Sequence, residues 1–338
     1  MILALIASRS VQLSVMSQYA ASPAKRESVF KRMQRFLKQV TLADDQIAKL
    51  ILGILGFGKD GKLTLIFDRT NWKFGKIHLN ILFLCIVHRG ASIPIFFTLL
   101  IDKKQGNSSY LDRIVLVEKF IALLGRTRIC CVLGDREFCG KRWILWLRRK
   151  KIPFVMRLSE KNTKVANSDE EFISAHDLFA NLKRGRKRFL GYCLIGQTDS
   201  FKACISALRT HKNELVVVIH SEDICNPLSR YKERWKIESM FKIMKTGGFH
   251  LENTHVSEPK RLANLISILA IAFCFALKAG RLVAEKTKSK PRNNGYMLHS
   301  IVRLGLDALF KSIFHDGKHD TCGPNEDLVF ELKEVFVL

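Results

Sequence analysis

KLTLIFD at residues 62–68 is followed by KIHLNILFLCIVHRG at residues 76–90 and by ASIPIFFTLL at residues 91–100. All three segments are rich in apolar and β-branched residues, and the second partly alternates between apolar and polar positions, which is typical of β-strands. The third segment begins directly after Gly90. The sequence therefore predicts three consecutive antiparallel strands.

The next segments alternate between helix and strand patterns. SSYLDRIVLVEKFIALLG at residues 108–125 has helical spacing, with Ser108 or Ser109 as its cap. RICCVLGDREF at residues 128–138 predicts a buried strand, KRWILWLRRKK at residues 141–151 a helix, and IPFVMRLS at residues 152–159 another strand. This order is the one expected of an RNase H-like α/β core, so we predict a mixed sheet flanked by helices.

The remaining chain falls into flanking and inserted segments. Residues 1–58 predict helices, either as a small basic module that contacts DNA or as a plain bundle packed on the next domain. KRFLGYCLIG, FKACISALRT and ELVVVIH at residues 187–220 predict a β-rich insertion. We predict a helical module at residues 1–58, a first core part at 59–159, the insertion at 160–221, a second core part with the Glu238 helix at 222–285, and a helical tail at 286–338.

The charge balance favours a polyanionic partner. The 338 residues include 56 Lys and Arg against 31 Asp and Glu, a formal net charge of +25, although ribosomal and membrane-surface proteins share such an excess. One basic run is either a solvated charged stretch or a strand that follows phosphates, with Phe189 and Tyr192 as stacking partners. Its members are Lys183, Arg184, Arg186, Lys187 and Arg188.

Three other patterns bear on the cellular setting. The nine cysteines include no C-x-x-C pair, and the first residues lack an export signal, so we expect reduced thiols and a cytoplasmic protein. The segment from Leu262 to Gly280 is nearly long enough for a membrane helix, but its three polar residues favour a helix in a soluble core. HDGKHDTC at residues 315–322 has spacing that zinc could use, yet it lacks a fourth ligand, which favours a polar tail.

Two aspartates each end an apolar strand pattern. Asp68 follows KLTLIF and Asp135 follows RICCVLG, so both carboxylates should be held rigidly and still be reached by solvent. A single aspartate in this position more often caps a turn or a helix. Neither residue alone indicates catalysis.

A third segment, YKERWKIESMFKIMK at residues 231–245, is more specific. At about 100° per residue, Tyr231, Arg234, Glu238 and Lys245 project from one narrow helix face beside an apolar stripe. The alternative is an amphipathic helix in which Arg234 and Glu238 form an ordinary i, i+4 ion pair.

The combination of the three segments predicts phosphoryl-transfer chemistry. Asp68, Asp135 and Glu238 together supply hard oxygen ligands for a pair of Mg²⁺ ions about 3.5–4 Å apart, with Mn²⁺ as a substitute. One ion would activate the attacking water or 3′ hydroxyl and the other would stabilise the leaving oxygen. Arg234 and Lys245 can hold phosphates, and Tyr231 adds a hydroxyl donor.

These segments also resemble a known family. DRTNWKFG at residues 68–75, GDREFCGKRW at residues 134–143, and YKERWKIESMFKIMK with the following GGFHLENTH look like the three signature regions of DDE transposases of the IS-four insertion-sequence family. The spacing of Tyr231, Arg234, Glu238 and Lys245 matches the family's Tyr-Arg-Glu-Lys signature without a gap. The resemblance covers roughly residues 25 to 310.

The resemblance implies a fold, a reaction and partners. The fold would be an RNase H-like core interrupted by a β insertion, and a homodimer would bring together two double-stranded transposon ends in the bacterial cytosol, near the nucleoid. The reaction would be cut-and-paste transposition: nicking, hairpin formation, hairpin opening and strand transfer into target DNA. The resemblance assigns metal binding to Asp68, Asp135 and Glu238, and DNA-end contacts to Tyr231, Arg234 and Lys245.

The insertion departs from the family pattern. Better-studied members use a Trp of the insertion to stabilise a flipped base, whereas all four tryptophans here lie outside it. Phe189, Tyr192 and Phe201 are candidate substitutes, because any aromatic face can stack on a base. Arg184, Arg186, Lys187 and Arg188 are candidate DNA contacts in the same insertion.

Other functions remain possible on this sequence. One is a decayed or truncated transposase that binds DNA without catalysis, and another is a different RNase H-like nuclease. A basic structural DNA binder is disfavoured, because buried carboxylates are costly unless a metal or another partner compensates for them.

Overall fold

A computed structural model describes residues 1–58, 60–75, 77–100, 107–166, 171–287 and 300–314. Within them the chain forms two compact units. The sheet unit takes in residues 60–71 and 80–239, and the helical unit takes in residues 1–58, the segment 72–79 and the described residues from 240 onwards.

Ten strands form one sheet with the order β3-β2-β1-β4-β5-β10-β9-β8-β6-β7. Their bounds are β1 Leu63–Phe74, β2 Ile77–His88, β3 Ala91–Leu99, β4 Ile129–Gly134, β5 Phe154–Arg157, β6 Lys164–Ala166, β7 Phe172–Ser174, β8 Lys187–Ile195, β9 Phe201–Arg209 and β10 Leu215–His220.

Eleven α-helices are described. Their bounds are α1 Ile2–Ser8, α2 Leu13–Met16, α3 Arg26–Gln39, α4 Asp44–Ile54, α5 Tyr110–Leu124, α6 Lys141–Arg149, α7 Ala175–Leu178, α8 Pro227–Lys232, α9 Lys236–Lys242, α10 Pro259–Lys286 and α11 Ile301–Phe314. Short 3₁₀ turns lie at Arg126–Arg128, Arg136–Phe138, Glu233–Trp235 and Leu251–Asn253, and a π turn lies at Ile243–Gly247.

The predicted fold class is confirmed. Strands β1, β2 and β3 are followed by α5, β4, α6 and β5, which is the order that the sequence predicts. Strand β4 runs parallel to both β1 and β5, and β2 and β3 are antiparallel. The strands after β5 extend the same sheet, because β10 pairs antiparallel with β5 and carries β9 and β8 beside it.

Ser109 settles the choice of cap for α5. Its hydroxyl accepts a hydrogen bond from the backbone N–H of Asp112, and the Asp112 carboxylate accepts one from the backbone N–H of Ser109. This reciprocal pair is a capping box, which satisfies donors that the first helical turn would otherwise leave unpaired. Ser108 is used differently, as described below.

An aromatic cluster supports the strands that carry the two aspartates. Phe67 packs against Phe138 and Trp143, with ring centroids 5.7 Å apart in both pairs. Gly134 precedes Asp135, and a methyl group on it would lie 2.7 Å from Cβ of Phe138. Such a contact is too short, so glycine permits this close packing directly below Asp135.

The position of Asp68 differs from the prediction. The sequence indicates that Asp68 ends its strand, but β1 continues to Phe74, so Asp68 lies in the middle of it. The apolar pattern stops at Asp68 because parallel pairing with β4, last recorded at Ile66 and Leu133, ends there, while the strand itself goes on. The sequence pattern therefore indicates a strand end at Asp68 because burial decreases there, although the strand continues.

The helical unit is built around α10. Helices α1, α3, α4 and α11 all contact it, and most of its residues from Leu262 to Gly280 are buried. The buried Asn264 donates hydrogen bonds to the carbonyl oxygens of Leu37, at 3.0 Å, and Val40, at 2.8 Å. The polar residue inside this apolar helix thus satisfies carbonyls at the end of α3.

By length and hydropathy alone, α10 could cross a membrane, and it is the one such helix in the described part of the chain. However, 89% of its most apolar 18-residue window is buried within the protein. This burial is what the interpretation as a core helix predicts. The candidate zinc ligands His315, His319 and Cys322 lie outside the described residues.

Candidate active site

Asp68 lies on β1, and Asp135 directly follows the neighbouring strand β4. Ile66 of β1 pairs with Leu133 of the parallel strand β4, and each aspartate follows two residues later. The backbone N–H of Arg69 donates to Oδ1 of Asp68 at 2.8 Å, and that of Glu137 donates to Oδ1 of Asp135 at 3.0 Å. Each carboxylate is therefore oriented by its own strand segment.

Arg234 joins Asp68 to Glu238. Its Nη1 donates to Oδ2 of Asp68 at 3.0 Å, and its Nη2 donates to Oε1 of Glu238 at 2.6 Å. The side chain of Arg234 is only 9% exposed, whereas that of Glu238 is 57% exposed. The i, i+4 ion pair between Arg234 and Glu238 is present. Arg234 also binds the carboxylate of Asp68, which lies 166 positions earlier in the chain.

The helix that carries these residues is not regular. The prediction of one continuous helix face for Tyr231, Arg234, Glu238 and Lys245 is wrong, because the segment passes from α8 through a 3₁₀ turn into α9 and then into a π turn. A 3₁₀ turn advances by more than 100° per residue and a π turn by less. Angles calculated for an ideal α-helix therefore do not hold over this segment.

Lys245 lies in the π turn, within the helical unit. Its Nζ forms an ion pair with Oε1 of Glu252 at 2.6 Å, and its side chain is 23% exposed. No sequence pattern predicts Glu252 as its partner. π turns are rare in proteins and occur frequently at functional sites.

Burial and like charges raise the pKa of Asp68 to about 6. Desolvation is the main cause, and the neighbouring carboxylates of Asp135 and Glu238 add to it, while Arg234 and the N–H of Arg69 act in the opposite direction. The positive charge of Arg234 does not fully offset burial and the neighbouring negative charges. Such a carboxylate is suited to attract a further cation.

Tyr231 and Arg157 add polar groups to this region. The Tyr231 hydroxyl is buried without a hydrogen-bond partner among the described residues, its pKa is raised by burial, and the Arg234 guanidinium lies 5.8 Å from its ring. Arg157 ends β5, next to the strand of Asp135. One of its Nη atoms donates to Glu214 at 3.0 Å, while its buried Nε has no partner among the described residues.

The sequence analysis missed Arg157, although a signal for it exists. In sheets with parallel strands, ligands bind beyond the carboxyl ends of those strands. Arg157 stands at the carboxyl end of β5, as Asp135 does at that of β4.

Arg69 and Glu137 form a second ion pair beside the two aspartates, and the sequence analysis missed this pair too. Nε of Arg69 lies 3.2 and 3.0 Å from the two carboxylate oxygens of Glu137. The backbone N–H and hydroxyl of Ser108 also donate to Glu137, both at 3.0 Å.

The basic run of the insertion lies on the surface. Lys183, Arg184, Arg186, Lys187 and Arg188 are all exposed, the last two on β8. Phe189 and Tyr192 are 54% and 50% exposed, whereas Phe201 is 8% exposed. Tyr192 is already engaged, because its hydroxyl donates to Glu222 at 3.0 Å and Arg148 lies over its ring. Phe189 is therefore the best placed of the three aromatic candidates to stack on a base.

The carboxylates fit a divalent metal ion by their chemistry. Asp135 and Glu238 both act electrostatically on Asp68, and carboxylate oxygens are the ligands that Mg²⁺ and Mn²⁺ prefer. A nearby cation would also offset the raised pKa of Asp68. In the part of the chain that the structure describes, no three acidic, His or Cys side chains are close enough to enclose an ion, and Arg234 bridges two of the carboxylates.

The family described as "Transposase DDE domain" matches residues 61–275, nearly two thirds of the chain. The chain belongs to the transposase DDE domain family. The match runs from the start of β1 into α10 and contains Asp68, Asp135 and Glu238. A search of curated proteins gives no match.

Among solved structures, the transposase DDE chain is similar to one described as a cryo-EM structure of piggyBac transposase synaptic complex with hairpin DNA. The identity is 10% and the TM-score 0.44, with 98% of this chain and 76% of that chain covered. Membership of the family makes the chain a DNA transposase, and transposase DDE domains generally use divalent metal ions.

Proposed function

We propose that the chain is a cut-and-paste transposase of the IS-four type that cleaves and joins the double-stranded ends of its element. The observation that carries the proposal is the placement of Asp68 on β1 and of Asp135 directly after the adjacent parallel strand β4, with Glu238 joined to Asp68 through Arg234. Three carboxylates that act on one another electrostatically, around the buried Asp68, suit metal-dependent phosphoryl transfer.

Asp68, Asp135 and Glu238 would hold the metal ions. When bound, two Mg²⁺ ions, or Mn²⁺ in their place, supply activation of the attacking hydroxyl and stabilisation of the leaving oxygen. Glu238 is the exposed member and would join the other two by turning away from Arg234, to which only one of its oxygens is bonded.

Arg234 and Arg157 would hold the scissile phosphate. Both side chains are mostly buried, at 9% and 14% exposure, and each has a buried Nε without a partner among the described residues. A guanidinium can bind two phosphate oxygens at once. The hydroxyl of Tyr231, which its raised pKa keeps neutral, would donate to the same phosphate.

Two surfaces would bind the DNA beyond the cleavage point. In the helical unit, Lys31, Arg35 and Lys38 of α3 line an open groove together with Gln34 and Arg261. In the sheet unit, the exposed residues Arg184, Arg186, Lys187 and Arg188 lead to Phe189, which we assign to stacking on a base. Arrays of cations with an aromatic neighbour suit the nucleic-acid backbone and an unpaired base.

We also propose that two copies of the chain act as a homodimer that brings two element ends together in the bacterial cytosol. Nicking at each end would free a 3′ hydroxyl. This hydroxyl would attack the opposite strand to form a hairpin, and the reopened end would then attack the target DNA.

The deciding experiment is a cleavage assay with Mg²⁺ or Mn²⁺ on DNA that carries the ends flanking the gene. We expect nicks and hairpins from the wild-type chain and none from Glu238→Gln, which keeps the length of the side chain and an acceptor oxygen for Arg234. Binding of the same DNA should be nearly equal for the two proteins, as measured by fluorescence anisotropy.

Other outcomes would favour the alternatives. A wild-type chain that binds the ends but cleaves nothing would indicate a decayed transposase. Cleavage of branched or hybrid substrates with no preference for element ends would indicate a different RNase H-like nuclease.

A further inference from the structure

We propose that the ion pair between Arg69 and Glu137 is a positioning device that sets the separation of the Asp68 and Asp135 carboxylates for metal binding. The inference rests on the proposed function, and it assigns roles to two residues outside the proposed metal ligands and DNA contacts. Arg69 directly follows Asp68, and Glu137 lies two residues after Asp135.

The first observation is that both residues act through their backbones. The N–H of Arg69 donates to Oδ1 of Asp68 at 2.8 Å, and the N–H of Glu137 donates to Oδ1 of Asp135 at 3.0 Å. The position of each carboxylate therefore depends on where the backbone of Arg69 or Glu137 lies.

The second observation is that their side chains tie these two backbones together. Nε of Arg69 contacts both carboxylate oxygens of Glu137, and the two side chains are 15% and 12% exposed. Strand pairing between β1 and β4 is last recorded at Ile66 and Leu133, before either aspartate. Beyond that point the ion pair is a direct polar link between the two segments, beside the apolar contact of Phe67 with Phe138.

The third observation is that each end of the link is itself fixed. Nη1 of Arg69 donates to Oδ1 of the buried Asn80 at 3.1 Å. Glu137 accepts from the backbone N–H and hydroxyl of Ser108, and Arg113 donates to the Glu137 carbonyl oxygen at 3.1 Å. Such contacts leave little freedom for either side chain, which a positioning device requires.

Stability alone is a poor explanation of the pair. Mostly buried ion pairs lose hydration on folding, and apolar replacements of similar volume often stabilise a protein as well or better. Outer groups that orient metal ligands, by contrast, change metal affinity when they are mutated, typically by 10–100-fold.

The test compares Mn²⁺ affinity with folding stability in the full-length chain. The variants are Glu137→Gln and the double variant Arg69→Gln/Glu137→Gln, which removes both charges of the pair together. The matched control is Glu118→Gln, which breaks the 2.7 Å ion pair with Lys150 in the same unit. Binding of Mn²⁺ is read from the electron paramagnetic resonance signal of the free ion, and melting temperatures are measured in EDTA.

We expect both Glu137 variants to bind Mn²⁺ about 10-fold more weakly, with the double variant melting close to wild type. The control should bind Mn²⁺ as wild type does. Should the double variant not fold, Arg69→Lys serves instead, since it keeps the charge but replaces the forked guanidinium with a single ammonium.

Wild-type Mn²⁺ affinity in the double variant, or in Arg69→Lys, would overturn the proposal. Failure of the proposed function has a different signature. In that case wild type would bind Mn²⁺ no better than Asp135→Asn and would not cleave DNA, and the positioning role would fall with it.

Discussion

At the scale of single residues, Asp68 carries a charge that its buried surroundings disfavour. Most of its carboxylate is buried, two further carboxylates act on it, and its pKa rises to about 6 even though Arg234 is bound to it. Functional sites often retain such costs, because the same unbalanced charge is what draws in a metal ion.

Asp68→Asn should therefore stabilise the metal-free protein while abolishing catalysis. The pKa of Asp68 is higher in the folded than in the unfolded chain, so this group's contribution to stability falls as the pH rises from about 4 through 6. Well above pH 6 the charge costs about 3 kcal/mol, which asparagine avoids. Urea denaturation in EDTA at pH 8 and pH 4.5 measures the effect.

The increase in the free energy of unfolding of Asp68→Asn over wild type should be larger at pH 8 than at pH 4.5. At pH 4.5 the wild-type carboxyl is already mostly protonated in the folded chain. A variant less stable than wild type at pH 8 would show that Arg234 more than compensates for burial.

At the scale of secondary structure elements, the sequence predicted the strands and helices of the core better than it predicted their irregularities. Apolar runs and helical spacing identified β1 to β5, α5 and α6, because burial on a sheet leaves a periodic pattern. The full length of β1, and the 3₁₀ and π turns around Glu238, depend on tertiary contacts that leave no local pattern.

In the candidate site, too, some residues follow from local sequence patterns and others depend on tertiary contacts. Asp68, Asp135 and Glu238 stand in recognisable segments, so residue type and spacing pointed to them. Arg69, Glu137 and Arg157 became visible only when parallel strands brought distant segments together. Arg234 was expected to face DNA, and its burial between two carboxylates depends on a pairing across 166 positions.

The packing of α10 on α11 provides a prediction about elements. A methyl group on Gly280 would overlap the carbonyl oxygen of Ile301, and one on Gly305 would overlap that of Ala276. Gly280→Ala and Gly305→Ala should each lower the free energy of unfolding by about 1–3 kcal/mol, because neither helix can move away without opening a gap in the core. Urea denaturation monitored by circular dichroism measures this decrease.

Gly53→Ala is the matched control. Gly53 is an exposed residue of α4, and a methyl group on it would have no atom within 4 Å. Alanine should be neutral there or should stabilise by up to about 1 kcal/mol, since it favours the helix more than glycine does. Equal decreases in stability at all three glycines would show that close helix packing is not the cause.

At the scale of the whole molecule, the net charge of +25 is partly gathered on defined surfaces. Lys31, Arg35 and Lys38 share one exposed side of α3, opposite the buried residues Met33 and Leu37. Phosphate contacts of this kind release counterions from DNA, so they control how steeply salt weakens binding.

Replacing Lys31, Arg35 and Lys38 together by alanine should flatten the salt dependence of DNA binding. The slope of log K against log salt should decrease in magnitude by about 0.9 for each phosphate that is no longer neutralised, roughly 2–3 in total. Fluorescence anisotropy between about 50 and 200 mM salt measures it. Lys49→Ala is the control, because the ammonium of Lys49 is already paired with Asp45 at 3.1 Å. An equal change of slope in both variants would exclude α3 as a phosphate-binding surface.

The bridge made by Arg234 has a consequence for the order in which the site fills. Counted as formal charges, three carboxylates and one guanidinium leave two negative charges, which a single divalent ion neutralises. A second ion would leave the same place doubly positive, a state that a buried site resists unless an anion enters with it. Asp68, Asp135 and Glu238 would thus be balanced by one divalent ion in the free protein, and any further positive charge there would need the negative phosphodiester beside it, so that the DNA end itself would be part of the charge balance.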